Sequence, residues 1–173
     1  LCTHYGKIGG LWFDGNWSKR DADWKLDELY GMIRRLQPDA MIINNTGLSK
    51  QGQTGHPEID SVTFEQGRAT PMDRTNMSKY VTSEMCQTTN HHWGVAENDL
   101  DYKSPRQLIE TLCHARKVGS NYLLNIGLDG DGNVIKIQEA LLEIIGRWTN
   151  MAKESLYDGK ISDIHCEGKD FVL

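Results

Sequence analysis

The sequence predicts an α/β protein built on a parallel sheet, of the (β/α)8 barrel type. Three observations carry this. Short apolar runs alternate with amphipathic runs of helical period, the pattern of parallel strands covered by helices. No glycine-rich phosphate fingerprint follows any apolar run, which argues against a dinucleotide-binding sheet. Finally, Asp14, Asn45, Glu65, Glu84 and Asn125 each stand at the exit of an apolar run, where barrels place their functional residues.

The first strand is Ile8 to Phe13, with Leu11, Trp12 and Phe13 apolar and two glycines that permit close packing. Leu26, Leu29, Tyr30, Ile33 and Leu36 then recur at helical spacing until Pro38 ends the run. Ala40 to Asn45 is a buried strand, followed by a polar, Gly-rich loop from Thr46 to about Glu58. Two more strands follow, one through Val62 and Phe64 to Glu65, the other carrying Glu84. Ser104, Pro105 and Gln107 form a capping-box start for a helix that Gly119 closes. Asn121 to Gly127 is a buried strand, Asp129 to Asn133 a turn, and Ile137 to Tyr157 the longest amphipathic helix.

The chain has 173 residues, a net charge of −5 and 38% apolar residues, which suffices for a domain with a sizeable core and excludes a disordered class. No apolar run is long enough for a transmembrane helix, and mixed charge without a basic stripe argues against nucleic acid or membrane as partner. Cys2, Cys86, Cys113 and Cys166 are far apart and lack zinc spacing, so the redox compartment stays open. The chain starts Leu-Cys-Thr and ends Asp-Phe-Val-Leu, so both ends read as cut and a piece of a longer protein is expected.

Asp14 is followed at once by Gly15, and Asp-Gly is a common turn pair. Against that plain reading stand three carboxylates at strand exits, Asp14, Glu65 and Glu84, flanked by Trp12, Trp17 and Trp93. Aromatic faces pack on the apolar faces of sugars, and a pair of carboxylates is what glycoside hydrolysis needs. One is the nucleophile or stabilising anion; the other must hold a proton in apolar surroundings or beside a like charge. Val62 and Phe64 offer Glu65 such a setting.

The segments "YGKIGGLWFDG", "EMCQTTNHHWGV" and "NYLLNIGLDGDG" closely resemble glycoside hydrolase family 29, the retaining α-L-fucosidases. The resemblance implies that Asp14 is the nucleophile. It also implies that the glutamate ending the strand before the Glu84 segment, Glu65, is the acid/base, with Glu84 in reserve. Trp12 matches an aromatic lining the sugar site, Trp93 one near the C6 methyl of fucose, and His92 and Glu84 are candidate sugar contacts. The expected reaction removes terminal α-L-fucose through a covalent fucosyl-enzyme, with a fucosylated glycan as substrate and no cofactor or metal. Leu128 stands where the family has a proline, and the Asn44-Asn45 loop lacks a family arginine, for which Arg68 is a candidate substitute. The resemblance further implies that residues 1–157 are the C-terminal part of the barrel and 158–173 the start of a C-terminal β-sandwich. Such a piece alone is expected to be inactive. A non-catalytic sugar-binding remnant and a retaining glycosidase of other specificity stay open. So do oligomeric state, including a homo-oligomer, and compartment, bacterial cytoplasm or periplasm.

The remaining motifs carry less. His91 and His92 are adjacent, but no third ligand has metal-site spacing. The Asp129 loop has Val134 and Ala140 where a calcium loop needs glycine and glutamate. The sequons at Asn16, Asn44 and Asn76 are read as chance, the first two because they fall near the active mouth.

Overall fold

The computed structural model describes residues 1–162 and Ile164. It comprises two compact units, Leu1–Met85 and Cys86–Leu173. The first holds strand β1 (Gly10–Phe13), helix α1 (Leu26–Leu36), strands β2 (Met41–Asn44) and β3 (Ser61–Glu65), and the start of β4 (Thr82–Thr88). The second holds the rest of β4, helix α2 (Pro105–Lys117), strand β5 (Asn121–Asn125) and helix α3 (Lys136–Met151). The strands are ordered in the sheet as they are in the chain, the sequence of successive strands in part of a (β/α)8 barrel.

In the first unit β1 and β2 run parallel, with Leu11 opposite Ile42 and Phe13 opposite Asn44. Parallel pairing continues through Ile43 opposite Ser61. Gly10 is required where β1 meets β2, because a Cβ there would come within 2.8 Å of the Met41 carbonyl oxygen. Side chains alternate across a strand, so Leu11 and Phe13 share one face and Trp12 takes the other. Leu11 and Phe13 pack on a core of Tyr30, Ile33, Ile42 and Ile59, with Leu26 and Leu29 of α1 beside them. Each fully buried member contributes about 1.5–3 kcal/mol of transfer free energy. Asn44 lies on this helix-facing side and donates to the Tyr30 hydroxyl (2.7 Å), which explains why its sequon is buried.

Arg34, near the end of α1, ties the helix to the entrances of β2 and β3. Its guanidinium donates to the Glu58 carboxylate (2.9 Å), the Asp60 carboxylate (2.5 Å) and the carbonyls of Ala40 and Glu58. Asp60 also accepts from Lys79 (2.8 Å) and the Ile42 amide (2.7 Å). Burial pushes the Asp60 carboxyl up, but Arg34, Lys79 and the Ile42 amide outweigh it and hold it below its ordinary range.

In the second unit the predicted capping box opens α2, with Ser104 accepting from the Gln107 amide and the Gln107 side chain accepting in return. The helix expected over residues 137–157 is instead two elements: α3 ends at Met151 and a π-type turn spans Glu154–Asp158. The Arg116 guanidinium donates to the Leu156 carbonyl in this turn (2.8 Å) and to the Gly159 carbonyl just after it, satisfying acceptors that no further helical turn reaches. Residues 158–162 form no strand. The rest of the expected β-sandwich start, apart from Ile164, lies outside the described residues. Among the described residues no helix is long and apolar enough to cross a membrane.

Candidate active site

The exits of β1, β2 and β3 bring three sequence-selected polar residues together. Asp14, just past β1, is exposed and its Oδ1 accepts from Trp17 Nε1 (2.9 Å) and Asn45 Nδ2 (3.1 Å). Glu65, the last residue of β3, is half-buried and its Oε2 accepts from the same Asn45 nitrogen (2.7 Å). One nitrogen therefore reaches both carboxylates, and the two oxygens are at most about 5.8 Å apart, since bonds of this kind span about 3 Å each.

Asn45 is locked in this role by its other end. Its Oδ1 accepts from Thr63 Oγ1 (3.0 Å) and from the Gly47 amide (3.1 Å), which leaves Nδ2 to face the carboxylates. Gly47 has φ +78°, and a Cβ there would come within 3.0 Å of Trp17 Cγ. The loop after β2 thus holds both the Asn45 amide and the indole that donates to Asp14. Gln66, directly after Glu65, sits at φ 51°, an uncommon setting for a non-glycine residue and a form of strain that clusters at functional sites.

Trp12, on the sheet face opposite Leu11 and Phe13, donates from Nε1 to Glu84 Oε1 (2.8 Å). Glu84 is 7% exposed, so this bond fixes an indole edge from a buried carboxylate. The apolar setting expected for Glu65 takes another form. Alternation along β3 puts Val62 and Phe64 on the face away from Thr63 and Glu65, and the Phe64 ring packs at Gly52. The partner that Glu65 meets is the Asn45 amide. Arg68, the candidate substitute for the family arginine, is exposed in the loop after β3, while Asn45 occupies the position between the carboxylates.

The remaining candidates belong to the second unit. Trp93 is 42% exposed, and Asn125 Nδ2 donates to its carbonyl (2.6 Å). His92 Nδ1 pairs with Asp99 Oδ2 (2.7 Å) and His91 Nε2 with Asp101 Oδ2 (2.9 Å). The bond from His92, with the amides of His91 and Asp101, holds the Asp99 carboxyl below its ordinary value despite desolvation. Among the described residues no group of three or more His, Cys, Asp or Glu side chains could hold a metal ion.

In the sequence Asn45 stands at a strand exit with no role attached, because a side-chain amide alone signals nothing about what it bridges.

A family model described as alpha-L-fucosidase matches residues 1–154. A Caenorhabditis elegans relative named as an α-L-fucosidase is 29% identical over 85% of this chain and 30% of its own length. The chain thus spans about a third of the curated relatives it matches. It is similar in structure to α-L-fucosidase isoenzyme 1 from Paenibacillus thiaminolyticus, with TM-score 0.80 and 32% identity over 95% of this chain and 39% of that one. It is also similar to α-L-fucosidase AlfC from Lactobacillus casei, solved with α-L-fucose product, with TM-score 0.64 and 27% identity over 88% of this chain and 43% of that one. With the match running from before Asp14 to beyond α3, the chain belongs to the α-L-fucosidase family.

Proposed function

We propose that the protein hydrolyses terminal α-L-fucosides with retention of anomeric configuration, Asp14 as nucleophile and Glu65 as acid/base. The observation that carries this reading is the shared Asn45 nitrogen. It keeps the two carboxylate oxygens within about 5.8 Å, which suits the spacing of about 5–5.5 Å in retaining enzymes and is short of the about 6.5–9.5 Å that inverting enzymes need for a water. Family membership and the AlfC complex with fucose product support fucose as the sugar. So does an AlfC variant, with one aspartate replaced by alanine, solved with 4-nitrophenyl α-L-fucopyranoside.

In this reading Asp14 attacks the anomeric carbon while Glu65 gives its proton to the leaving oxygen. The fucosyl ester on Asp14 then yields to a water from which Glu65 takes a proton. The Trp17 and Asn45 donors aim Asp14 Oδ1 and leave its second oxygen for the attack. Glu84 acts by holding Trp12, whose ring lines the sugar site. Trp93 keeps the sugar-contact role that the family resemblance implies, and His92, next to it in the loop, is a further sugar contact in this reading. The substrate is a fucosylated glycan.

The test is a panel of 4-nitrophenyl glycosides offered to the complete protein. Turnover of the α-L-fucoside, with proton NMR showing the α-anomer released first, is the expected result. Turnover of a galactoside in preference, release of the β-anomer first, or no turnover of any member would each sink the proposal.

A further inference from the structure

Within the first unit a cleft of about 460 Å³ opens beside the indole that donates to Asp14, and its volume falls in the range of small-molecule sites. Trp17 and Trp24 line it, with Arg20, Lys50, Gln53 and His56. Both indole N–H groups are already used: Trp17 donates to Asp14 and Trp24 to the Lys19 carbonyl (3.1 Å). Those bonds hold each ring by its edge. Yet Trp17 and Trp24 stay 42% and 45% exposed, a large apolar area for residues whose polar atoms are satisfied.

The rest of the lining is mostly polar, with Ala22 and Leu26 as its apolar members. The Glu58 amide donates to His56 Nδ1 (3.1 Å), so Nε2 carries the proton and donates to Asp27 Oδ1 (3.0 Å). The His56 ring also stands edge-on to the buried Tyr30, with centroids 4.8 Å apart. Lys25 pairs with Asp23 (2.6 Å), and Arg20 reaches Ser49 Oγ (3.1 Å) with one nitrogen, keeping further N–H donors. Exposed indoles beside hydrogen-bond donors match a sugar ring, which offers an apolar C–H face and a rim of hydroxyls.

We infer that this cleft binds the saccharide on the leaving-group side of the scissile bond, with Trp24 as its stacking platform and Arg20 and Lys50 as donors to its hydroxyls. The inference rests on the proposed fucosidase reading, in which Glu65 stands at the leaving oxygen: Gln51, between the cleft-lining Lys50 and Gln53, donates to the Glu65 carbonyl (2.7 Å). Trp17 joins the two regions: its N–H aims Asp14 and its ring lines the cleft. The consequence is a preference for oligosaccharides over fucosides with a small aglycone.

The test compares the complete wild-type protein with Trp24→Ala and Trp24→Phe. The substrates are 4-nitrophenyl α-L-fucoside and the best-cleaved member of a set of fucosylated lactose and N-acetyllactosamine isomers. Trp24→Ala should lower kcat/KM about tenfold for the oligosaccharide, equivalent to about 1.4 kcal/mol, and change it less than about twofold for the aryl fucoside. Trp24→Phe should recover most of the loss. Equal losses on both substrates, or none on the oligosaccharide, would overturn the inference while leaving the fucosidase reading intact. Saturation-transfer NMR with lactose reads the cleft without turnover. Transfer to wild type that is weakened in Trp24→Ala supports the site even if the hydrolysis reading fails, and absence of transfer to wild type refutes it.

Discussion

Removing the Asn45 amide probes the candidate site most directly. In the Asn45→Ala protein, Asp14 and Glu65 lose the nitrogen they share at 3.1 and 2.7 Å. A hydrogen bond to a charged group is worth about 1.5–3 kcal/mol net, and the shorter bond belongs at the upper end. If about 3 kcal/mol of that positioning is felt in the transition state, at about 1.4 kcal/mol per decade, kcat/KM should fall about a hundredfold. Thr63 Oγ1 and the Gly47 amide also lose their acceptor, so the melting temperature should drop. Kinetics are therefore measured well below the midpoint of melting. Asn45→Asp separates shape from charge. It is isosteric, but it replaces the donor with an acceptor beside two carboxylates, and like charges about 4 Å apart repel by about 4 kcal/mol at an effective dielectric of about 20. Its activity should fall below that of Asn45→Ala. If Asn45→Ala keeps activity within about threefold of wild type, or Asn45→Asp matches wild type, the bridge has no catalytic weight.

Asp14→Gly should abolish turnover of an aryl fucoside, and azide should restore part of it as a replacement nucleophile; near-normal activity without azide would return Asp14 to a turn role. Glu65→Ala should harm poor leaving groups far more than activated aryl fucosides, whereas Glu84→Ala, which frees the Trp12 indole, should slow both alike; the reverse pattern moves the acid/base role to Glu84. The Arg34–Asp60–Lys79 cluster should carry acid sensitivity. Because the folded-state pKa of Asp60 is depressed, its stabilisation is present above the ordinary carboxylate pKa and is lost as pH falls through the folded value. Thermal melts should show Asp60→Asn less stable than wild type at neutral pH, with the gap closing in acid; a gap independent of pH would contradict this.

Local chemistry was legible in the sequence because each signal lies within a few residues. The apolar run before Asp14 marks a strand exit, the spacing from Leu26 to Leu36 marks α1, and Ser104 with Gln107 marks the start of α2. The carboxylate candidates were legible for the same reason, since strand exits are where a barrel presents function. Which side chains meet was not. Trp12 and Glu84 are 72 residues apart, and only the sheet brings an indole to that carboxylate. Asn45 bridges Asp14 and Glu65 because β1, β2 and β3 are adjacent and in register, a property of strand pairing that no single strand encodes. The last helix shows the limit for helices: amphipathic spacing continues to Tyr157, but α3 ends at Met151, and the π-type turn that follows has its Leu156 carbonyl satisfied by Arg116, 40 residues earlier. Trp24 shows it for the proposed saccharide cleft, whose lining comes together only when the loop after β2 and the entry to α1 face one another. Local preference specifies most of the elements and the chemistry each can present, whereas the pairings arise in the folded chain, because long-range contacts depend on packing and register.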